Sequence, residues 1–245
     1  MSQIIAFNET FVLLTPEVSR SLKSFSLHEY EKLVAKSVVL EQDRHGVKVL
    51  KTPEGLIVKF FRQKRLFSSA LLKSYASRFI DNARFLNQLG VKTVEVEDVF
   101  YCKPIKRTLI FYTPVPGKTL RDVLQDNARF DHVMEKFIVF LAELHDKGVF
   151  FRSIHLSNVI VSDCSDSLGL IDIVDMKINR KSLSRKLRIR NFRHLTRYKV
   201  DQESIRTFGV DRFMDVYFAA SKISKSYKSK FSETMAQLIA VEGRH

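Results

Sequence analysis

The chain has 245 residues, of which 45% are hydrophobic, so it is long enough for one two-lobed domain or two small ones. Its two cysteines, Cys102 and Cys164, argue against a disulfide framework or a zinc site. No apolar run approaches the ~18–20 residues needed to span a bilayer, so we expect a cytoplasmic globular protein. The net charge of +14 favours an anionic partner, whether nucleic acid, a phosphorylated sugar or an acidic membrane surface.

The first part of the chain predicts a leader, one short helix and a small sheet. Residues 1–25 have weak periodicity and are expected to form the leader. Ser26 and Glu29 make a capping-box pattern that opens a helix through about Lys36. A long amphipathic helix is predicted over Phe67–Leu89. Five strands are predicted, at Val38–Gln42, Val47–Lys51, Leu56–Phe61, about Thr93–Tyr101 and Thr108–Thr113.

The second part of the chain predicts mostly helix, interrupted by one hairpin. A Pro-Val-Pro-Gly break at 114–117 separates it from the sheet. A helix with apolar residues at helical spacing from Phe130 to Leu144 is followed by a polar loop. The hairpin strands are expected at Val159–Ser162 and Leu168–Asp172, and residues 201–245 are expected to form two closing helices.

Two side chains flank the predicted hairpin at the ends of its strands. Asn158 comes just before the first strand, and Asp172 closes the second. A tight hairpin would bring the amide and the carboxylate together, and their oxygens are ligands that Mg²⁺ prefers alongside phosphate oxygens. The pair therefore predicts a nucleotide-phosphate site.

The stretch from Gly148 to Asp172 resembles the catalytic loop and metal-binding hairpin of the protein-kinase-like fold. It is most similar to the lipopolysaccharide-core (heptose and Kdo) kinases, a bacterial branch often labelled "toluene tolerance protein". Gly148 and Asn158 stand in register with the family pattern, and Asp172 takes the place of its metal-binding aspartate. The places of the family's histidine and catalytic aspartate hold Phe151 and Ser153. The resemblance thus implies retained metal ligands and a missing base.

The same resemblance implies an α+β, two-lobed protein-kinase-like fold that uses ATP and Mg²⁺. A small N-terminal antiparallel sheet with one long helix would form the first lobe over residues 26–113, after the leader 1–25. A mainly helical C-terminal lobe would follow over residues 114–245. The acceptor would be a lipopolysaccharide-core sugar or a similar anionic precursor of the cell envelope.

The resemblance also implies roles around the nucleotide. Lys59 would bind the phosphates, although an edge-strand lysine facing water is the alternative. Gly46 is the single glycine of the loop that would cover those phosphates. The family's helix glutamate, which pairs with the strand lysine, is replaced by Asn82, with Asp81 adjacent. The backbone expected to meet the adenine ring lies at Phe111, Tyr112 and Thr113.

Three residues of the polar loop are candidates for catalysis. Ser153 occupies the place of the usual base and lacks a carboxylate. His155 would take over proton abstraction if the loop aims it at the acceptor; otherwise it would only hydrogen-bond the backbone. Arg152 would place a fixed cation near the γ-phosphate.

The segment between Met176 and Val200 contains no acidic residue. A solvated helix face normally interleaves both signs, and like charges at i,i+4 cost a few tenths of a kcal/mol per pair, so we expect an external anion to compensate them. Nucleic acid is less favoured, because only Phe192 and Tyr198 could stack on bases. The residues expected to form a surface for the acceptor or the inner membrane are Arg185, Lys186, Arg188, Arg190, Arg193 and Arg197.

Two functions from different classes remain open. The first is an ATP-dependent phosphotransferase with an atypical catalytic loop. The second is a pseudokinase, a nucleotide-binding regulatory or docking module without turnover. Ser153 and Asn82 favour the second function, and the retained pair of Asn158 and Asp172 favours the first.

Overall fold

The computed structural model describes residues 23–62, 74–163 and 165–241. Its strands are β1 (Lys23–Ser24), β2 (Val38–Asp43), β3 (Gly46–Lys51), β4 (Ile57–Arg62), β5 (Lys92–Thr93), β6 (Glu95–Cys102), β7 (Arg107–Thr113), β8 (Lys118–Thr119), β9 (Val149–Phe151), β10 (Val159–Val161), β11 (Leu168–Leu170) and β12 (Met176–Ile178). Its helices are α1 (Leu27–Lys36), α2 (Tyr75–Gln88), α3 (Leu120–Val123), α4 (Phe130–Asp146), α5 (Arg185–Leu195), α6 (Lys199–Phe208), α7 (Val210–Ala220) and α8 (Lys228–Ala240). Within these ranges no helix has the length and apolar character needed to cross a membrane.

The main sheet has six strands in the order β1-β6-β7-β4-β3-β2. The neighbours are antiparallel except β1, which pairs with β6 in parallel through Lys23 and Phe100. The prediction of five strands was therefore wrong by one, because the end of the expected leader adds an edge strand. A strand of two residues carries no periodicity that a sequence pattern could reveal. The rest of the leader, residues 1–22, lies outside the described residues.

Helix α1 covers one face of this sheet. The predicted capping box is confirmed: Ser26 Oγ accepts from Glu29 N at 3.2 Å, and the Glu29 carboxylate accepts from Ser26 N at 2.7 Å. The partly buried residues Tyr30 and Leu33 pack against a small apolar cluster of the sheet that includes Leu50 and Val58. The outer face of the sheet is thus closed by a helix, and the other face is left for the rest of the chain.

Helix α2 packs on that other face. Phe79 is buried and lies 5.6 Å from the Phe61 ring and 5.3 Å from the Tyr112 ring, measured between centroids. The predicted helix Phe67–Leu89 is confirmed over Tyr75–Gln88, and residues 63–73 lie outside the described part of the chain. This packing brings the helix beside the strand that carries Lys59.

The C-terminal region is mainly helical, as predicted. Three helices, α6, α7 and α8, follow residue 198 instead of the two that were expected. Gly209 has a φ of 94°, a value that glycine adopts without strain, and it ends α6 where the chain turns into α7. The buried side chains on the inner faces of these helices include Phe208, Phe213, Tyr217, Phe231 and Met235.

The predicted hairpin is present as β10 and β11, with Val159 opposite Leu170. Both strands are shorter than expected, so Asp172 lies beyond β11 and does not close it. Strands β5 and β8 extend the hairpin to a four-stranded sheet, which separates Thr93 from β6. Gly117 precedes β8 with a φ of 130°, and a Cβ at this position would lie 2.1 Å from Val161 O. Only glycine allows the chain to pass β10 so closely.

Candidate functional site

The structure brings Lys59 and Asp172 together. Lys59 lies on β4, an interior strand, so the alternative of an edge-strand lysine facing water was wrong. Its Nζ is 2.6 Å from Asp172 Oδ1 and 5.9 Å from the centroid of the Phe79 ring. The side chains are 22% and 51% exposed, respectively, so a ligand can still reach the carboxylate.

Asn82, on α2, does not take the place of the family's glutamate as a partner of Lys59. Its Nδ2 donates to Ile173 O at 2.7 Å, and its neighbour Asp81 pairs with Arg84 at 3.2 Å. A buried amide thereby holds the backbone that directly follows Asp172. The residue that pairs with Lys59 is Asp172 itself, which the sequence did not indicate.

The backbone at Asp172 is left-handed, with φ 52° and ψ 45°. Asp and Asn adopt this region more readily than other non-glycine residues, because their short polar side chains hydrogen-bond locally. The conformation begins the turn Ile173–Asp175 and points the carboxylate toward Lys59.

Asn158 is 7% exposed, and its amide orientation is fixed by its neighbours. Its Nδ2 donates to Ser153 O at 2.9 Å and to His155 Nε2 at 3.0 Å. A carbonyl can only accept, so Nδ2 must face the loop, and Oδ1 is left to accept another donor or to bind a cation. The backbone oxygen of Asn158 also accepts from Ile171 N at 3.0 Å, which ties the loop to the residue before Asp172.

His155 carries no free lone pair in this arrangement. Its Nε2 accepts from Asn158, so the neutral ring holds its proton on Nδ1. Burial lowers the pKa of His155, and Arg121 lowers it further. The ring packs edge-on against Tyr198 at 5.1 Å between centroids. The geometry therefore fits a residue that orients Asn158, and it does not aim His155 as the predicted proton acceptor.

A buried carboxylate that the sequence analysis missed supports the same loop. Asp201 is fully buried on α6, accepts from Leu156 N at 3.2 Å and pairs with Arg121 Nη2 at 2.8 Å. Burial raises the pKa of Asp201, an effect that Arg121 opposes. Asp201 shares an inward helical stripe with Ile205 and Phe208, and an acid in such a stripe is the signal that could have revealed it.

A second buried network of hydrogen bonds joins α4, α5 and α7 to Phe151, where the loop begins. His145 Nε2 donates to Asn191 Oδ1 at 2.9 Å, and Asn191 Nδ2 donates to Phe151 O at 2.6 Å. His145 Nδ1 accepts from the Tyr217 hydroxyl at 2.7 Å. Burial lowers the pKa of His145 to about 3, so the ring is neutral, as these hydrogen bonds require.

Arg188 is not part of the basic surface, and that prediction was wrong. Its side chain is 1% exposed and pairs with Asp146 at 2.5 Å. The inner face of α5 carries Arg188, Asn191, Phe192 and Leu195 at helical spacing, which places this arginine in the core. Its other acceptors are the oxygens of Leu183, Ser182, Tyr217 and Ser221. Of the remaining predicted surface residues, Arg197 is half-buried and the exposed ones are Arg185, Lys186, Arg190 and Arg193.

The single glycine of the β2–β3 turn, Gly46, has a φ of 103°. The carbonyls of His45 and Val47 on either side of it accept from the guanidinium of Arg107, which is 8% exposed on β7. The sequence did not indicate Arg107. A buried arginine thus fixes the turn that the resemblance places over the phosphates.

The three predicted adenine contacts lie at the end of β7 and face different ways. Tyr112 packs on Phe79, and burial, with Asp172 nearby, raises the pKa of its hydroxyl. Phe111 packs on the opposite face, 5.4 Å from the Phe100 ring between centroids. Thr113 ends the strand and is exposed.

The residues present fit a magnesium site completed by a ligand. No group of three or more His, Cys, Asp or Glu side chains that could hold a metal occurs in the described ranges. Mg²⁺ is commonly bound through one or two protein oxygens together with substrate phosphates and water, which is the number that Asn158 Oδ1 and Asp172 provide.

Comparison with known proteins gives matches among solved structures only. No protein-family profile matches the chain, and the curated proteins give no match. Of 1749 matching chains in solved structures, one is described as "WaaP in complex with acyl carrier protein". The two share a TM-score of 0.60 over 85% of this chain and 89% of that chain, at 17% sequence identity. A likeness so distant shows the fold and not the activity. The chain therefore has the two-lobed protein-kinase-like α+β fold, with an N-terminal sheet and a helical C-terminal region.

Proposed function

We propose that this chain is an ATP-dependent phosphotransferase that acts on an anionic cell-envelope acceptor of the lipopolysaccharide-core type. The observation that carries the proposal is the ion pair of Lys59 and Asp172 on a kinase-like fold, with Asn158 tied to the residue before Asp172 by the hydrogen bond from Ile171 N. WaaP, one of the structural neighbours, shares this fold at 17% sequence identity. The lobes would span residues 26–113 and 114–245.

Lys59 would grip the nucleotide phosphates, and Asp172 and Asn158 Oδ1 would hold Mg²⁺. When bound, the metal supplies positive charge that neutralises the phosphates during transfer. In the reaction the acceptor hydroxyl oxygen forms a bond to the γ-phosphorus, the bond from that phosphorus to the leaving oxygen breaks, and the hydroxyl proton passes to solvent or to a phosphate oxygen. Because the transition state is loose, positioning and charge neutralisation dominate, and a base typically adds roughly 10²–10⁴-fold.

His155 serves this chemistry as a positioning residue in our proposal. Its Nε2 holds the Asn158 amide so that Oδ1 faces away from the loop. With a serine at position 153 and no free lone pair on His155, we expect slow turnover. His155→Gln, which can still accept from Nδ2, should preserve Mg²⁺ binding better than His155→Phe; equal Mg²⁺ affinity of the two variants would contradict the positioning role.

The acceptor side is argued from charge. The exposed cations of α5 would face an anionic acceptor or the headgroups of the cytoplasmic leaflet, which would place the protein at the inner membrane surface. The complex of WaaP with acyl carrier protein makes a carrier protein a further candidate partner.

The test is thermal unfolding with and without Mg-ATP, followed by ATP consumption with purified lipopolysaccharide core. A ligand at 100 times its dissociation constant stabilises the native state by about 2.7 kcal/mol, which raises the melting temperature visibly. Asp172→Asn and Asn158→Ala should each abolish the shift, and Asn87→Ala, an exposed residue of α2, should not. If the wild-type protein gives no shift at any Mg-ATP concentration, the proposal fails.

The second candidate is a pseudokinase that binds Mg-ATP without turnover. Ser153 and the engaged lone pair of His155 favour it. A shift in melting temperature, with no ATP consumed in the presence of core oligosaccharide or acyl carrier protein, is the result that this candidate predicts.

A further inference from the structure

Two arginines beside the polar loop lack an acidic partner. Arg152 precedes Ser153 and is exposed, while its backbone N–H donates to Asp175 O at 2.9 Å. Arg197 follows α5 and is half-buried. Within the described parts of the chain no carboxylate pairs with either guanidinium, whereas Arg121, another arginine near the loop, is neutralised by Asp201 at 2.8 Å.

The guanidinium of Arg197 is held in place by a neutral group. Its Nη2 donates to His194 Nδ1 at 2.8 Å, so the nitrogen that accepts must be unprotonated. Burial lowers the pKa of His194 to about 4, with further lowering from Arg197, Arg152 and Arg190. The His194 ring also lies 5.8 Å from the ring of Phe150, two residues before Arg152, so both arginines lie near one neutral imidazole that cannot neutralise them.

Arg197 also lies next to the loop, since the residue that follows it, Tyr198, packs edge-on against His155 at 5.1 Å between ring centroids. The loop residue between these groups, Ser153, is neutral where resembling kinases carry an aspartate. The positive potential on this side of the loop is thus left uncompensated by the protein. The nucleotide phosphates have their own partners in Lys59 and the metal ligands, so they do not explain it.

We propose that Arg152 and Arg197 form an oxyanion-binding subsite beside Ser153, which takes a phosphate or carboxylate group of the acceptor. Guanidinium groups bind such planar or tetrahedral oxyanions through paired, charge-assisted hydrogen bonds. This inference rests on the proposed function for the identity of the ligand as an acceptor. The inference adds that the acceptor carries a phosphate or carboxylate group close to its reacting hydroxyl.

The test is binding of inorganic phosphate and, separately, of acetate, measured by NMR titration at constant ionic strength and without Mg²⁺. Arg152→Gln and Arg197→Gln should each weaken binding about tenfold, which corresponds to the loss of one charge-assisted hydrogen bond. Lys230→Gln, an exposed change on α8, should leave the affinity unchanged. Arg152 is exposed, so its variant is expected to fold even if Arg197→Gln does not.

The outcomes separate the subsite from the proposed function. Tighter binding of phosphate than of acetate identifies a phosphorylated acceptor, and the reverse order identifies a sugar acid. If Lys230→Gln weakens binding as much as the two loop-side variants do, the charge acts diffusely and the subsite is overturned. Arginine-dependent anion binding in a protein that never binds Mg-ATP would leave the subsite standing and refute the kinase.

Discussion

Lys59 Nζ and Asp172 Oδ1 lie 2.6 Å apart, one on an interior strand of the sheet and the other after the hairpin of the C-terminal region. The cation expected on the phosphates and the carboxylate expected on Mg²⁺ thus neutralise each other before any ligand arrives. Nucleotide and metal would have to separate them, and each would take one partner. Binding of the two is therefore expected to be interdependent.

The first prediction concerns Lys59→Met. A half-exposed ion pair contributes about 0–1 kcal/mol, so the ligand-free protein should unfold at nearly the wild-type urea concentration. The stabilisation by Mg-ATP should disappear, because the phosphates lose their cation. Lys51→Met, an exposed lysine of the neighbouring strand, is the control and should retain it. An unchanged response to Mg-ATP in Lys59→Met would remove Lys59 from the site.

The second prediction concerns Asn82→Ala. The change removes the amide that donates to Ile173 O and leaves that buried carbonyl unsatisfied, so unfolding should cost about 1–3 kcal/mol less. Urea denaturation measures the loss, and Asn87→Ala on the exposed face of the same helix should stay within about 0.5 kcal/mol of wild type. Equal effects of the two changes would show that the hydrogen bond to Ile173 does not form.

The third prediction separates Arg188 from its exposed neighbours. Arg188→Met leaves Asp146 buried without its cation and should destabilise the protein by about 3–5 kcal/mol. Arg193→Met on the outer face of the same helix should change the free energy of unfolding by less than about 0.5 kcal/mol. Chemical denaturation of both variants is the measurement. If Arg188→Met lowers the free energy of unfolding no more than Arg193→Met does, Arg188 is a surface residue and not a core residue.

The fourth prediction is a dependence of stability on pH. His145 has a pKa of about 3 in the folded protein, against about 6.5 in the unfolded chain. Below pH 6.5 the unfolded chain binds a proton that the folded protein does not, so stability falls as the pH decreases from 6.5 toward 3. Between pH 6.5 and 5.0 this residue accounts for about 2 kcal/mol.

Urea unfolding at pH 7.5 and 5.0 checks this dependence. The difference between the two pH values should shrink in His145→Gln and should persist in His28→Gln, where the residue is exposed. A wild-type protein equally stable at both values would contradict the buried neutral ring.

The fifth prediction compares two glycines with positive φ. Gly55 has a φ of 90°, and no atom lies within 4 Å of a Cβ added there. Gly55→Ala should therefore lower the free energy of unfolding by about 1–2 kcal/mol through backbone strain alone. Gly117→Ala adds a clash with Val161 O to the same kind of strain, and the total should exceed about 2 kcal/mol. The melting temperatures of the two variants are the measurement. Equal losses of stability would mean that the chain beside β10 can move away from the new Cβ.

The sequence predicted those parts of the fold that carry local signals. The capping box of α1, the strand periods and the hairpin before Asp172 all depend on residues close together in the chain. Strand β1 depends on a distant part of the chain, because it pairs with β6. The burial of Arg188 does too, because its partner Asp146 lies on another helix. Counting the inward positions of α5 would have revealed Arg188, because it shares them with Phe192.

Some features of the candidate site could likewise be predicted from the sequence, and others could not. Asn158 and Asp172 were predicted from their places at the hairpin, and Lys59 from the resemblance. The structure places Lys59 against Asp172, and the binding roles of all three remain predictions. The pairing itself could not be predicted, because Asn82 turns to the backbone instead of to the lysine. The tie between His155 and Asn158 depends on the fold of a loop without periodicity.

The left-handed backbone at Asp172 limits which residues evolution can place there. Glycine and asparagine adopt this backbone readily but bring no negative charge, and glutamate brings the charge but adopts this backbone less readily than aspartate. Aspartate alone meets both demands. Ser153 has no such backbone restriction, since its φ is not positive. Position 153 can therefore accept other residue types. At position 172 the left-handed backbone and the need for a carboxylate together exclude them.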